Sequence, residues 1–143
     1  MKIFLGGTCN KSDWRNTLIP KLEANNIDYF NPVVEDWTDE CKAEEERQKD
    51  ICDVHLYHLT PKITGVYSIA ELVSDAILFK GMTIFSTQNT DGNHSFTTGD
   101  IKSIDAVKEL VKKHNALVFQ SIDEVLVHLI CNNWLEEVNK NVE

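Results

Sequence analysis

The chain has 143 residues, 42% of them hydrophobic, and carries a formal net charge of -9 at neutral pH. That apolar content suits one folded domain over residues 1–143 and excludes a disordered chain. The acidic balance argues against a nucleic-acid polymer or an anionic membrane surface as partner, because a net anion is repelled by both.

Lys2–Leu5 is a short apolar run ending at Gly6-Gly7 and reads as a buried strand. Ser12 is expected to cap a helix reaching about Asn25, with Trp14, Leu18, Ile19 and Leu22 at helical spacing. Ile27–Phe30 is a second strand, stopped by Asn31-Pro32. Val33–Asp50 is acidic and reads mainly as a solvated surface, with Cys41–Lys49 predicted helical despite a thin apolar face. Asp53–Leu59 is the third strand. Ser68–Lys80 is a helix with Ile69, Leu72, Val73, Ala76 and Ile77 on one face, closed by Gly81. Met82–Phe85 is the fourth strand.

Ser86–Asp100 is polar, rich in turn residues and long for a connection, which suits a lid or an arm toward a neighbouring subunit. Ile101–His114 is an amphipathic helix, Ala116–Phe119 a fifth strand, and Ile122–Val138 a last helix opened by Ser121-Ile122-Asp123-Glu124. No apolar run reaches the roughly 18 residues of a membrane span. The start is too short for a signal core, and Cys9, Cys41, Cys52 and Cys131 show no CxxC, so reduced thiols and a cytoplasmic protein are expected.

Strands alternating with helices imply a parallel sheet covered on both faces. For five strands the expected arrangement is an α/β, flavodoxin-like, doubly wound sheet of order 2-1-3-4-5. Ligands then bind beyond the carboxyl ends of strands one and three. The segments expected to meet there are Gly6-Gly7-Thr8, Asn31-Pro32, the Thr60–Ser68 loop and the Ser86–Asp100 loop.

Glu71 has two readings. Ser68-Ile69-Ala70-Glu71 matches a capping box, in which the glutamate reaches back to its own helix start. Placed after the loop that follows strand three, the same carboxylate can instead serve as nucleophile in glycosyl chemistry. Asp53, at the start of strand three, is either an end residue or a second carboxylate. The Gly6-Gly7-Thr8 turn offers main-chain amides to an anionic or sugar group, but it is neither GxGxxG nor a Walker sequence. Ser68 at a helix start can hold a phosphate or hydroxyl. Trp37, beside Asn31-Pro32, is a candidate pocket wall, and Tyr67 stands in the same neighbourhood. His55 and His58, three apart on a strand, point to opposite faces, and no Cys/His framework exists, so no metal or other cofactor is expected.

Phe4-Leu5-Gly6-Gly7-Thr8, Trp14-Arg15, Tyr29-Phe30-Asn31-Pro32, Cys52-Asp53, Thr60-Pro61 and Gly65-x-Tyr67-Ser68-Ile69-Ala70-Glu71 occur in that order. Together, from about Lys2 to Lys80, they resemble the nucleoside 2-deoxyribosyltransferase-like family, in its short phage and bacterial branch. The resemblance implies cleavage of an N-glycosidic bond in a deoxynucleoside or its 5′-phosphate. It implies Glu71 as nucleophile, Asp53 near the base site, and Gly6 and Gly7 against sugar or phosphate. A small nucleoside or nucleotide is the implied partner, and a homo-oligomer, dimer or larger, the implied assembly. Two positions depart from the pattern: Gly65 stands where an aspartate is common, and Phe4 nearest to where a tyrosine is common. Tyr57 and Tyr67 are the candidates to supply that phenol. Base exchange, hydrolysis and non-catalytic nucleotide sensing stay open.

Overall fold

A computed structural model describes residues 1–9 and 11–142. Strands β1 (Lys2–Gly7), β2 (Asp28–Phe30), β3 (Val54–Leu59), β4 (Met82–Thr87) and β7 (Ala116–Phe119) form one parallel sheet, in the order β2-β1-β3-β4-β7. This is the flavodoxin-like order expected from the sequence. The fifth expected strand is β7, because two short strands, β5 (Thr90–Asp91) and β6 (His94–Ser95), pair antiparallel within the segment read as a plain loop. Helices α1 (Trp14–Ala24), α2 (Asp39–Ile51), α3 (Tyr67–Leu78), α4 (Thr98–Lys112) and α5 (Ile122–Lys140) connect or follow the strands. No helix among the described residues is long and apolar enough to cross a membrane.

Alternation along the strands sorts the core into two layers. Ile3, Leu5, Val54, Leu56 and Ile84 pack with Trp14, Leu18 and Leu22 of α1 and Val125 and Leu129 of α5. Phe4, Tyr57, Leu59 and Phe85 pack on the other face with Leu72 and Ala76 of α3 and Val111 of α4. α2 has little apolar surface and is started by its cap: Thr38 Oγ1 accepts from the Cys41 amide at 3.2 Å. Ser121 caps α5 as expected, accepting from the Glu124 amide, while Glu124 reaches back to the Gln120 amide at 2.9 Å.

Four helix starts differ from expectation, α2 among them, since it begins at Asp39 under the Thr38 cap and not at Cys41. α1 is preceded by Asp13 without a side-chain cap, and Ser12 donates instead to Asp91. α4 begins at Thr98 under a capping box of Thr97 and Asp100, because that pair satisfies the first amides three residues before the apolar periodicity starts. α3 begins at Tyr67, one residue ahead of Ser68, with Val66 as an uncapped lead-in.

His58 is fully buried on the α1 side, its ring 5.1 Å from that of Trp14. Gln88 donates its amide to Thr90 O, which leaves Gln88 Oε1 to accept from His58 Nε2 at 2.9 Å. Nδ1 then accepts from Ser86 Oγ at 2.8 Å. Such a ring is neutral, and burial pulls its pKa down from 6.5 to about 4. Between those pH values the unfolded chain binds a proton that the folded ring refuses, so stability falls as pH drops through this window. The expected loss from this ring by pH 4.5 is about 2–3 kcal/mol. Urea unfolding of wild type and His58→Gln from pH 7 to 4.5 checks it: the wild-type profile should be steeper, and parallel profiles would refute the assignment.

Candidate active site beyond β1 and β3

The floor of the site is the end of β1. Gly7 has φ +114°, and a Cβ there would lie 2.1 Å from His58 O, so β1 and β3 approach closely only because this residue has no side chain. A Cβ on Gly6 would lie 2.7 Å from the Tyr57 ring. Thr8 locks the turn to β3: its amide donates to His58 O at 3.0 Å, and its Oγ1 accepts from the Thr60 amide at 2.9 Å. From α1, Arg15 reaches beneath the turn, donating to Leu5 O at 2.8 and 3.0 Å and to Thr8 O at 2.7 Å. Its guanidinium stacks 4.3 Å above the Trp14 ring. Burial lowers the Arg15 pKa. Its hydrogen bonds to backbone carbonyls hold a cation under the floor and fix the turn's shape.

Above the floor is a cleft of about 380 Å3. One wall is the stretch from Pro32 to Trp37 and the other is the start of α3, with Tyr67, Ser68 and Glu71. A second cavity of about 640 Å3 opens between α2 and α3, lined by Lys42, Glu46, Lys49, Ser74 and Asp75. Trp37, Glu45, Tyr67 and Glu71 border both.

The capping-box reading of Glu71 is overturned. Because α3 starts at Tyr67, Ser68 lies inside the helix and no side chain caps its amides. The Glu71 carboxylate, 15% exposed, accepts from Lys49 Nζ at 3.2 Å at the junction of the two cavities. Lys49 is itself held. Its ammonium donates to Tyr57 Oη at 2.8 Å and forms a second ion pair with Asp75 Oδ2 at 3.2 Å. Tyr57 donates to Asp75. His55 Nε2 donates to Lys49 O at 2.8 Å, while Nδ1 meets Asp75 Oδ2 at 2.9 Å. A ring of contacts thus leaves Lys49 by its carbonyl and returns to its ammonium. Burial pushes the Asp75 carboxyl up, but hydrogen bonds from His55 and Tyr57 and the Lys49 charge outweigh it, leaving its pKa below the ordinary value. Burial, then the Asp75 charge, raises the Tyr57 phenol, which stays protonated as a donor.

The other expected site residues divide. Gly6, Gly7, Thr8, Trp37, Tyr67 and Ser68 line the cleft with Glu71. Asn31 stands just behind it, its Oδ1 accepting from the Val33 amide at 3.2 Å and bending the chain into the Pro32–Trp37 wall. Asp53 does not join them. It precedes β3 at the amino end of the sheet, 62% exposed, and accepts from the Lys2 amide at 2.7 Å. The Ser86–Asp100 segment does not line the cleft either. Asp91 accepts from Ser12 and from Thr60 at 2.7 Å and faces Lys62 at 3.4 Å, so the segment braces the 60–65 loop from behind. Burial pushes the Asp91 carboxyl up, yet those partners bring its pKa below the ordinary value.

Glu45, Lys49 and Asp75 are site residues that the sequence reading did not assign, whereas Tyr57 was one of its two candidates for the phenol. Their signal was the spacing: Glu45 and Lys49 share one face of α2, and Glu71 and Asp75 one face of α3. Among the described residues no group of three or more His, Cys, Asp and Glu is placed to hold a metal ion. A family model described as nucleoside 2-deoxyribosyltransferase like matches residues 1–74, from β1 into α3. No curated protein and no solved structure matches the chain significantly.

Proposed function

The chain belongs to the nucleoside 2-deoxyribosyltransferase-like family, and from that premise we propose that it breaks the N-glycosidic bond of a deoxynucleoside or its 5′-phosphate, with Glu71 as nucleophile. The observation that carries this reading is the Glu71 carboxylate, held at the cleft junction by Lys49 and not consumed by its own helix start. A carboxylate held by a lysine that also bonds Tyr57 and pairs with Asp75 is oriented for attack.

In the scheme, a Glu71 oxygen attacks the anomeric carbon as the base departs through an oxocarbenium-like transition state. Water, or a second base, then takes the glycosyl group and releases Glu71. The sugar lies over the Gly6-Gly7-Thr8 turn that floors the cleft. Tyr67 and Trp37, 70% and 58% exposed on opposite sides of the cleft, offer aromatic faces to the base. Ser68 and the uncapped start of α3 suit a hydroxyl or the 5′-phosphate. The phenol that the resemblance led one to seek in strand one is supplied from β3, where Tyr57 acts on Glu71 through Lys49.

The test is a panel of deoxynucleosides and their 5′-phosphates, incubated with and without a second free base and resolved by chromatography. Free base is expected from at least one substrate, and a new nucleoside when the second base is present marks transfer. Thermal stabilisation by a nucleotide with no base released from any member would overturn the enzymatic reading in favour of a binding protein.

A further inference from the structure

Ester formation at Glu71 removes a negative charge from beside the lysine that holds it. Among the described residues Lys49 Nζ forms ion pairs with Glu71 and with Asp75, each at 3.2 Å. The two carboxylates stand one turn apart on α3, so a single ammonium from α2 bridges both. That ammonium lies 5.4 Å from the Phe4 ring and 5.6 Å from the Tyr57 ring, on a side chain only 18% exposed. A cation in such surroundings is costly to leave without a counter-ion. Asp75 is the more firmly anchored carboxylate. Its Oδ2 also meets His55 Nδ1 at 2.9 Å and accepts from the Tyr57 hydroxyl. The His55 ring is fixed in turn, stacked on Phe79 with centroids 3.7 Å apart. Burial opposes the Asp75 charge, yet His55, Tyr57 and Lys49 keep its pKa below the ordinary value.

Resting on the nucleophilic role of Glu71, we propose that Asp75 is a positioning residue for the reaction, the counter-ion that keeps Lys49 compensated and in place while Glu71 is esterified. Before the reaction the Lys49 charge is divided between two carboxylates. In the first step a Glu71 lone pair forms the C1′–O bond, and the C1′–N electron pair leaves with the base, which solvent protonates. Glu71 is then a neutral ester, and Asp75 is the anion still paired with Lys49. In the second step water attacks C1′ and loses a proton to solvent. The C1′–O pair returns to Glu71, which meets a lysine that has not moved. In transfer a second base replaces water and gives up its N–H proton. Without the Asp75 charge, the same ammonium grips Glu71 more tightly before the reaction and is stranded after it. Both changes raise the barrier.

The experiment measures base release from the best substrate of the panel by wild type, Asp75→Asn and Asp75→Asn/Lys49→Met. Asparagine keeps the shape of the side chain and removes its charge. Asp75→Asn should lower kcat about 30-fold and change KM by less than about twofold. Removing the ammonium as well should raise kcat about fivefold above Asp75→Asn, because no cation is then left to strand. A merely structural role makes the double variant no faster than Asp75→Asn. That result, or wild-type kcat in Asp75→Asn, overturns the role of Asp75 alone. Wild type that releases no base from any member of the panel overturns the glycosidic reading and this role with it. A second measurement needs no turnover. Glu71→Gln reproduces the loss of charge that esterification causes. Its Tm drop should be at least about twice as large in Asp75→Asn as in wild type, since Lys49 then faces no paired anion. Equal drops in the two backgrounds end the proposal. Should Asp75→Asn not fold, the double variant should fold and release base, and its failure to do so overturns the proposal.

Discussion

Glu71→Gln is expected to lower base release by about a thousandfold or more while changing the fold very little. Glutamine keeps the size and the hydrogen-bonding reach of the side chain but cannot form a glycosyl ester or spread negative charge toward an oxocarbenium ion. The stability cost is small for a specific reason. Removing one member of a partly buried ion pair usually strands the other, at several kcal/mol. Lys49, however, keeps Asp75 at 3.2 Å and Tyr57 at 2.8 Å, so its charge stays compensated. The expected loss is about 1 kcal/mol, or a few degrees in Tm. Chromatographic rates and thermal melts on one preparation separate the two effects. Rates equal to wild type would remove Glu71 from the chemistry. A collapsed Tm would mean that Lys49 depends on Glu71 more than its three contacts indicate.

The same residue marks the boundary of what the sequence makes legible. Ser68-x-x-Glu71 has capping-box spacing, yet the N-cap is Val66, and that two-residue slip places the serine inside the helix and releases the glutamate to the cleft. Local pattern cannot resolve such a slip, because the start is fixed by how the 60–65 loop is held by Thr60, Lys62 and Asp91. The sheet is a different matter. Short apolar runs broken by Gly6-Gly7, Asn31-Pro32 and Gly81 specify the strands, and the rule for parallel crossovers orders them. Strand polarity then sends Asp53 to the amino end, a consequence already contained in the fold expected from sequence. Glu45 and Lys49 were hidden by their setting. They belong to an acidic stretch that reads as a solvated face, and they matter because α2 turns that face toward Tyr57, Glu71 and Asp75. Composition describes a helix's surface, whereas what covers that surface is a tertiary fact.

Gly7→Ala should destabilise the protein by about 4 kcal/mol, an uncommonly large effect for one methyl group. Two costs coincide. An alanine at φ +114° is in a conformation that only glycine adopts readily, and its Cβ would fall 2.1 Å from His58 O and 2.7 Å from His58 N, both backbone atoms of a fully buried strand. No side-chain rotation relieves that contact, so β1 must move away from β3. The Thr8 amide bond to His58 O and the Thr8–Thr60 lock would be pulled with it. Gly65→Ala is the matched control, since a Cβ there meets nothing within 4 Å and its φ lies outside the left-handed range. Its expected effect is within about 0.5 kcal/mol. Urea midpoints for the two variants should therefore separate widely. If Gly7→Ala unfolds with Gly65→Ala, the close approach of β1 and β3 is not what shapes the cleft floor. If it separates and its surviving folded fraction also loses nucleotide-induced stabilisation, the turn that joins the strands is the same element that receives the sugar.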